Sequence, residues 1–488
     1  MATVIEQTPL YEHLMPVGQE IMFTISNNTI VNNNFNVKFC AAVHISNEPI
    51  VLTNDTALIG TFKTSPNAAG VGMFDLRTVV ETFLKADNEP NANYVNSKPR
   101  YKDDQAQARM FPIHLVDKVS MSTNSCKYLG VNFYVEYSTT PLGLMTSEIN
   151  NPRPTVEFTI FNGVVRHNDP LTVLNLGGVK QGLIIGDDVD DFTGYNFITN
   201  DISGQANPAH FLSNAPTTQY ATLNDYGALA MTNNIINQTP IAQFRTNFYN
   251  SAGVQLGATE VSENTAFYGG VPYNNLDAAG KIIYVGAFPA NFKNWSTIYA
   301  AAEPTLSYYT IQAYDATGTQ ISQLYTINIL CPNLKGYEPI RLAWLNRWGA
   351  WDYYTFNMKS SKTINSKKIP FNQEAGTWNE SVYRSAGYKG GKKNFRVNST
   401  ERIRINTDFV TEAEGVWFQQ LINSTEVYIV KGFQTEVALA SQLNITNKYI
   451  QPAIVTTSSY TTKTIANDKL MQYTFEIEKS KMERTQTA

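Results

Sequence analysis

The stretch Arg341-Leu-Ala-Trp-Leu-Asn-Arg-Trp-Gly-Ala-Trp-Asp-Tyr-Tyr-Thr-Phe-Asn-Met358 constrains the fold more than any other part of the chain. Its arms, Leu342 to Asn346 and Trp351 to Met358, are loaded with aromatic and bulky apolar side chains, and Gly349 stands between them where a turn is needed. Such residues favour a pleated, half-buried backbone, so the stretch reads as a β-hairpin. It carries Trp344, Trp348 and Trp351, three of the six tryptophans in the chain. Rings at that density belong to packed cores and permanent interfaces rather than to catalytic loops. Trp344, Trp348, Trp351, Tyr353 and Phe356, with Trp417 further on, are therefore the expected core or interface residues.

Patterning on either side of this hairpin is also that of strands. Gln19 to Ser26, Asn36 to Ser46, Gly60 to Thr64, Met110 to Val119, Lys127 to Tyr137 and Thr155 to Phe161 are rich in β-branched and aromatic residues, with turn-forming text between them, including the Asn-rich Asn27 to Asn34. One helix is expected after Asp75, where Leu76, Val79, Val80, Phe83 and Leu84 recur at helical spacing. A second starts at Thr411, whose hydroxyl faces Glu414 three residues on in a capping box, with Ala413, Val416, Trp417 and Leu421 on one side. Between Gly186 and Phe292 the periodicity fades, with short apolar runs at Ile241 to Tyr249 and Lys281 to Phe288. Leu306 to Tyr314 and Ser322 to Leu330 form another hairpin, and strands follow near Arg402 to Asn406, Glu426 to Val430, Ile450 to Thr456 and Met471 to Ile477. The expectation is a mainly β protein of several antiparallel β-sandwich-like domains with one or two short packed helices. Its domains would be 1–150, a sandwich with one helix; 151–335, loop-rich β with an insertion at 186–292; and 336–488, with the Trp hairpin, a basic loop and the capped helix.

At 488 residues, each of these domains can bury its own core without disulfides. Cys40, Cys126 and Cys331 are odd in number, far apart and free of CxxC spacing, so they read as small buried apolar residues. No run approaches 18 apolar residues and no basic-then-apolar leader opens the chain, so neither membrane insertion nor export by a signal peptide is expected. Charged residues are only 16% and the net charge is −4, which argues against a general nucleic-acid binder. The charge is uneven, however. Lys359 to Arg404 holds eleven basic residues against Glu374, Glu380 and Glu401, a surplus of +8 that leaves −12 for the rest.

Chemistry is harder to find. His13, His44, His114, His167 and His210 are scattered and none lies in an HExxH or nucleophile-elbow context. Gly70-Val-Gly72 lacks the third glycine of a dinucleotide fingerprint, and Gly387-Tyr-Lys-Gly-Gly-Lys-Lys393 lacks P-loop spacing. Asp187, Asp188, Asp190 and Asp191 form a weak calcium candidate, since four carboxylates can surround a hard cation, but they lack the EF-hand alternation and distal Glu. A solvated acidic loop is the plainer reading. No catalytic residue and no cofactor is expected. The basic segment, with Lys389, Lys392, Lys393 and Arg396 among Tyr383, Tyr388 and Phe395, reads three ways: a face docking an acidic neighbouring subunit, a DNA-holding surface, or a solvated loop. Complementary contact between copies of an otherwise acidic chain fits the charge balance best.

Three segments together resemble virion structural proteins of tailed bacteriophages of Bacteroidetes hosts, including crAss-like phages. They are Phe23-Thr-Ile-Ser26 with Phe74-Asp-Leu76, the hairpin Trp344-Leu-Asn-Arg-Trp-Gly-Ala-Trp-Asp-Tyr-Tyr-Thr-Phe356, and Thr411-Glu-Ala-Glu-Gly-Val-Trp-Phe-Gln-Gln-Leu421 followed by Glu426-Val-Tyr-Ile429. The resemblance covers the N-terminal domain and about 336–430, and only the Trp-Leu-Asn-Arg hairpin is distinctive. It implies a non-enzymatic tail, baseplate or neck component that oligomerises into a ring or adaptor. Such a protein is assembled in the host cytoplasm, resides in the virion, and has copies of itself and other virion proteins as partners. The alternatives are a receptor-binding tail protein presenting 186–292 to the host surface, and a capsid-associated protein.

Overall fold

A computed structural model of the chain describes residues 2–9, 15–47, 57–89, 112–122, 124–148, 154–164, 171–176, 179–185, 195–196, 209–233, 241–264, 281–293, 295–330, 336–377, 379–431, 450–461 and 471–484. It is mainly β, with several antiparallel sheets and few, short helices, as the alternation predicts. Contacts between residues divide the chain into two units, one of residues 1–329, 345–352 and 436–443, the other of 330–344, 353–435 and 444–488.

The first unit opens with a sandwich. A six-stranded sheet runs Met15–Pro16, Thr155–Phe161, Cys126–Ser138, Phe35–Ser46, Leu58–Thr64, with Thr146–Ser147 pairing the central strand off that path. A three-stranded sheet of Val4–Gln7, Met22–Ser26 and Val71–Asp75 faces it. Alternate side chains of the two sheets interdigitate: the Phe23 ring lies 5.4 Å from that of Phe133 and 5.8 Å from that of Phe158, and Phe74 lies 6.1 Å from Phe133. The N-terminal segment is tied down by Glu148, which accepts from the Thr3 amide at 3.2 Å, from the Thr3 hydroxyl, and from Asn27 Nδ2 at 3.1 Å.

Two further sheets complete this unit. Ala228–Asn233, Lys281–Gly286 and Val119–Met121 form one, and the first two of these strands are buried at every position. Thr218–Ala221, Tyr325–Ile329, Tyr308–Tyr314, Gln243–Tyr249 and Glu260–Glu263 form the other. Phe248 projects from it into a ring cluster with Phe292, Tyr299 and Tyr309 at 5.5–5.7 Å. Within 186–292, where the periodicity of the text fades, Ala228–Asn233 and Lys281–Gly286 are thus buried core strands. These two strands have no exposed side and their text does not alternate, whereas Gln243–Tyr249 in the same region does.

Local expectations fail in instructive places. The helix expected after Asp75 is one turn, Arg77–Val80, followed by the 3₁₀ turn Glu81–Phe83. The β-branched run Thr78-Val-Val80 disfavours a longer helix, although Asp75 does accept from the Arg77 amide at 3.0 Å. The Asn27 to Asn34 turn is instead a short helix, Asn28–Asn33, capped by the Asn27 side chain on the Ile30 amide at 3.1 Å. Met110 to Val119 is not a strand in its described part. Pro112 leads into a buried 3₁₀ turn, Ile113–Leu115, and a strand begins only at Val119.

The second unit is one eight-stranded sheet. Its order is Trp351–Phe356, Ile340–Leu345, Val427–Val430, Ile450–Val455, Thr474–Lys479, Gly391–Asn406, Ser361–Gln373, with Glu483–Arg484 paired to Gly391–Asn406. The helix Glu412–Asn423 packs on this sheet, and its capping box forms as expected, Thr411 Oγ1 accepting from the Glu414 amide at 3.3 Å and Glu414 from the Thr411 amide at 2.7 Å. Its buried face carries Trp417, Phe418 and Leu421 with Gly415, whereas Ala413 and Val416 are exposed, a rotation of the expected stripe. Gly415 allows this approach, since a Cβ there would stand 2.7 Å from the Tyr473 hydroxyl oxygen.

His210 of the first unit gives a pH expectation. It is 8% exposed, and burial lowers its pKa from the usual 6.5 to about 4. The unfolded chain therefore takes up a proton below pH 6.5 that the folded chain resists until pH 4, so this residue subtracts stability as pH falls through that window. At pH 4.5 the loss is about 2.5 kcal/mol. Urea titrations at pH 7.5 and 4.5 on the parent and on His210→Asn measure it as the part of the pH dependence that the variant lacks.

Candidate functional site

The structure divides the residues singled out in the sequence into a dry hub and an exposed ribbon. In the hub, Trp344, Trp348, Trp351, Tyr353, Phe356 and Trp417 are all buried. The hairpin strands are Ile340–Leu345 and Trp351–Phe356, and between them the Asn346 amide donates to the Ala350 carbonyl at 2.8 Å and the Gly349 amide to the Asn346 carbonyl at 3.2 Å. Gly349 has φ +70°, and a Cβ there would stand 2.2 Å from the Asn162 carbonyl oxygen, so conformation and space both demand glycine.

Residues 345–352 of the hairpin, Trp348 and Trp351 among them, belong to the first unit and the rest of its arms to the second. In the first unit the Trp351 indole donates to the Asp87 carbonyl at 2.8 Å and meets the His114 ring edge-on at 4.8 Å. The Trp348 indole donates to Asn214 at 2.7 Å, and Asn346 Nδ2 to the Leu212 carbonyl at 2.7 Å. In the second unit the Trp344 ring lies 5.0 Å from Trp417 and 6.3 Å from Phe418. Phe418 also packs on Tyr354, Phe356 and Phe475.

Asp87, which no sequence pattern marks, is the polar centre beneath the tip. It is 1% exposed and accepts from the Asn124 amide at 2.7 Å, the Ser125 amide at 3.3 Å, the Ser125 hydroxyl and the Tyr284 hydroxyl at 3.1 Å. With so many donors converging on it, the carboxyl is a fixed junction of three chain segments. Cys126 nearby is buried, and burial pushes its thiol up to about 12; Cys40 is raised to about 11 for the same reason. Neither thiol has the lowered pKa of a nucleophile.

The basic segment is not a loop. Ser361–Gln373 and Gly391–Asn406 pair antiparallel from Ser361↔Arg404 to Gln373↔Gly391. The pairing continues toward the tip through the Gly376↔Ser385 bridge and the Ala386 amide on the Ala375 carbonyl at 2.8 Å. Near its base the ribbon is held on one side by Thr474–Lys479, which reaches Arg402, and by Glu483–Arg484, which reaches Asn398 and Ser399. From Lys368↔Val397 outward no third strand pairs with it among the described residues. At about 3.4 Å per residue, 368–377 alone reaches roughly 30 Å.

Charge along the ribbon is sorted in the same way. At the base, Arg402 meets Glu478 at 2.7 Å and Glu476 at 3.6 Å, Lys362 meets Glu338 at 2.6 Å, and Glu401 meets Lys479 at 2.5 Å. Farther out, Arg384 lies 3.8 Å from Glu380, while Lys367, Lys368, Lys389, Lys392, Lys393 and Arg396 form no ion pair with a described residue. The register puts Lys367, Ile369, Phe371, Lys393 and Arg396 on one face, and Lys368, Lys392 and Val397 on the other. A register shift between Ile369 and Pro370 accommodates Phe395, whose ring stands edge-on to Phe371 at 6.4 Å. Tyr388, Tyr383, Val382 and Phe395 are all more than half exposed.

The proposed calcium residues Asp187, Asp188, Asp190 and Asp191 lie outside the described residues, as do Cys331, His13 and His167. Among the described residues no group of three or more His, Cys, Asp or Glu is placed to hold a metal ion. No described helix is long and apolar enough to cross a membrane. Compared with protein-family models and with curated proteins, the chain matches none.

Proposed function

We propose that the chain is a non-enzymatic structural subunit of a tailed-phage virion, part of an oligomeric ring or adaptor in the tail, baseplate or neck. The observation that carries the assembly half of this reading is the ribbon. Two strands alone are marginal in water, and this pair exposes aromatic rings and uncompensated cations along its outer part. Such a surface is favourable when a neighbour covers it. The phage half rests on the resemblance carried by Trp344-Leu-Asn-Arg-Trp348 and the capped Thr411 helix.

The receptor-binding alternative has less support than the sequence alone lends it. Ala228–Asn233 and Lys281–Gly286, within the segment expected to present loops, are core strands, so deleting that segment removes core rather than a binding surface. The capsid-associated alternative shares the expectation of assembly and differs in position. Mass spectrometry of purified virions, with cryo-electron microscopy of the intact particle, tests the reading. Presence at a fixed copy number in tail or neck is expected, and a monodisperse monomer absent from virions overturns it.

A further inference from the structure

We infer that the basic ribbon docks, face-on, onto an acidic surface of a second copy of this chain; this rests on the reading of the protein as an assembling subunit. The geometry selects a face rather than an edge. Ser361–Gln373 is the outermost strand of its sheet and would invite strand addition, but Pro370 has no N–H to offer, the register shift beside it breaks the ladder, and Lys367 and Lys368 lie along the same edge. These are the features by which edge strands avoid pairing with another chain. Of the two faces, the one bearing Lys367, Ile369, Phe371, Lys393 and Arg396 alternates cations with large apolar groups and has Phe395 at its margin.

Charge selects the occupant. Near the base Lys362, Arg402 and Lys479 each have a carboxylate of the same unit beside them, whereas Lys359, Arg404 and the six outer cations have none among the described residues. The segment 359–404 carries +8 and the remainder of the chain −12, so each copy presents a net acidic body to its neighbour's arm. Complementary charge of this kind steers encounter and fixes register. Aromatic rings and arginine at the centre of the contact match the composition of buried interface cores.

The test uses the full chain in sedimentation velocity and native mass spectrometry at low and high salt. The unmodified protein should self-associate, and association should weaken as salt rises. Lys367→Glu with Lys393→Glu and Arg396→Glu should weaken it about tenfold or more, while Lys392→Glu on the opposite face should have a smaller effect. Circular dichroism and melting temperature should be unchanged in both variants, since the substituted side chains make no ion pair in the fold. A photo-crosslinker at position 393 should capture acidic segments of another copy. Self-association unaffected by the triple reversal, or crosslinking and binding only to an added duplex oligonucleotide, overturns the inference. Virion incorporation of a triple variant that assembles normally would leave the phage reading standing and remove this one. Charge-dependent self-association of a chain absent from virions would do the reverse.

Discussion

Trp351→Ala should cost about 3–5 kcal/mol of unfolding free energy, because it removes a fully enclosed indole and leaves a cavity in its place. Part of the loss is polar. The Asp87 carbonyl would lose its donor at 2.8 Å, a term of about 1–2 kcal/mol for a buried acceptor. Trp351→Phe separates the two contributions, keeping an aromatic ring against His114 while deleting the indole N–H. Trp344 supplies the contrast, since its indole nitrogen has no hydrogen-bond partner among the described residues. Trp344→Phe should therefore lose only ring volume and cost less than Trp351→Phe. Urea titration followed by far-ultraviolet circular dichroism measures all three variants; equal costs for the two Trp→Phe changes would show that the Asp87 carbonyl contributes nothing.

The same hairpin shows what a sequence discloses and what it conceals. Its strands, its turn glycine and the burial of its rings were all legible, because aromatic density and a glycine between β-favouring arms have few other outcomes. Assignment of residues 345–352 to one unit and the rest of its arms to the other was not, since that depends on partners such as Asp87 and Asn214, distant in sequence. Strands with one wet face, such as Thr155–Phe161, are readable from alternation. Lys281–Gly286, buried at every position, and Ser361–Gln373, exposed at nearly every position, are unreadable for opposite versions of one reason: burial does not alternate along either. Of the candidate site, the basic residues were visible as composition. That Lys362 and Arg402 find carboxylates near the base while six cations farther out do not depends on distant partners such as Glu338 and Glu478.

Asp87→Ala is the second large effect expected. The side chain is the acceptor for two backbone amides, the Ser125 hydroxyl and the Tyr284 hydroxyl, and the bonds from Ser125 and Tyr284 are buried. Leaving even two of these donors unpaired costs about 2–6 kcal/mol, comparable to the whole stability of many domains. Asp87→Asn is the sharper experiment because it preserves shape. An amide has one acceptor oxygen where the carboxyl has two, and it turns an N–H pair toward groups that are themselves donors, so Asn should recover little of what Ala loses. Tyr284→Phe relieves one of those donors, and combined with Asp87→Asn it should cost less than the sum of the two single changes. Strict additivity in that cycle, read by urea titration of all four proteins, would mean that the Tyr284 hydroxyl and Asp87 are not coupled, and that the Asn124 and Ser125 donors hold the junction without it.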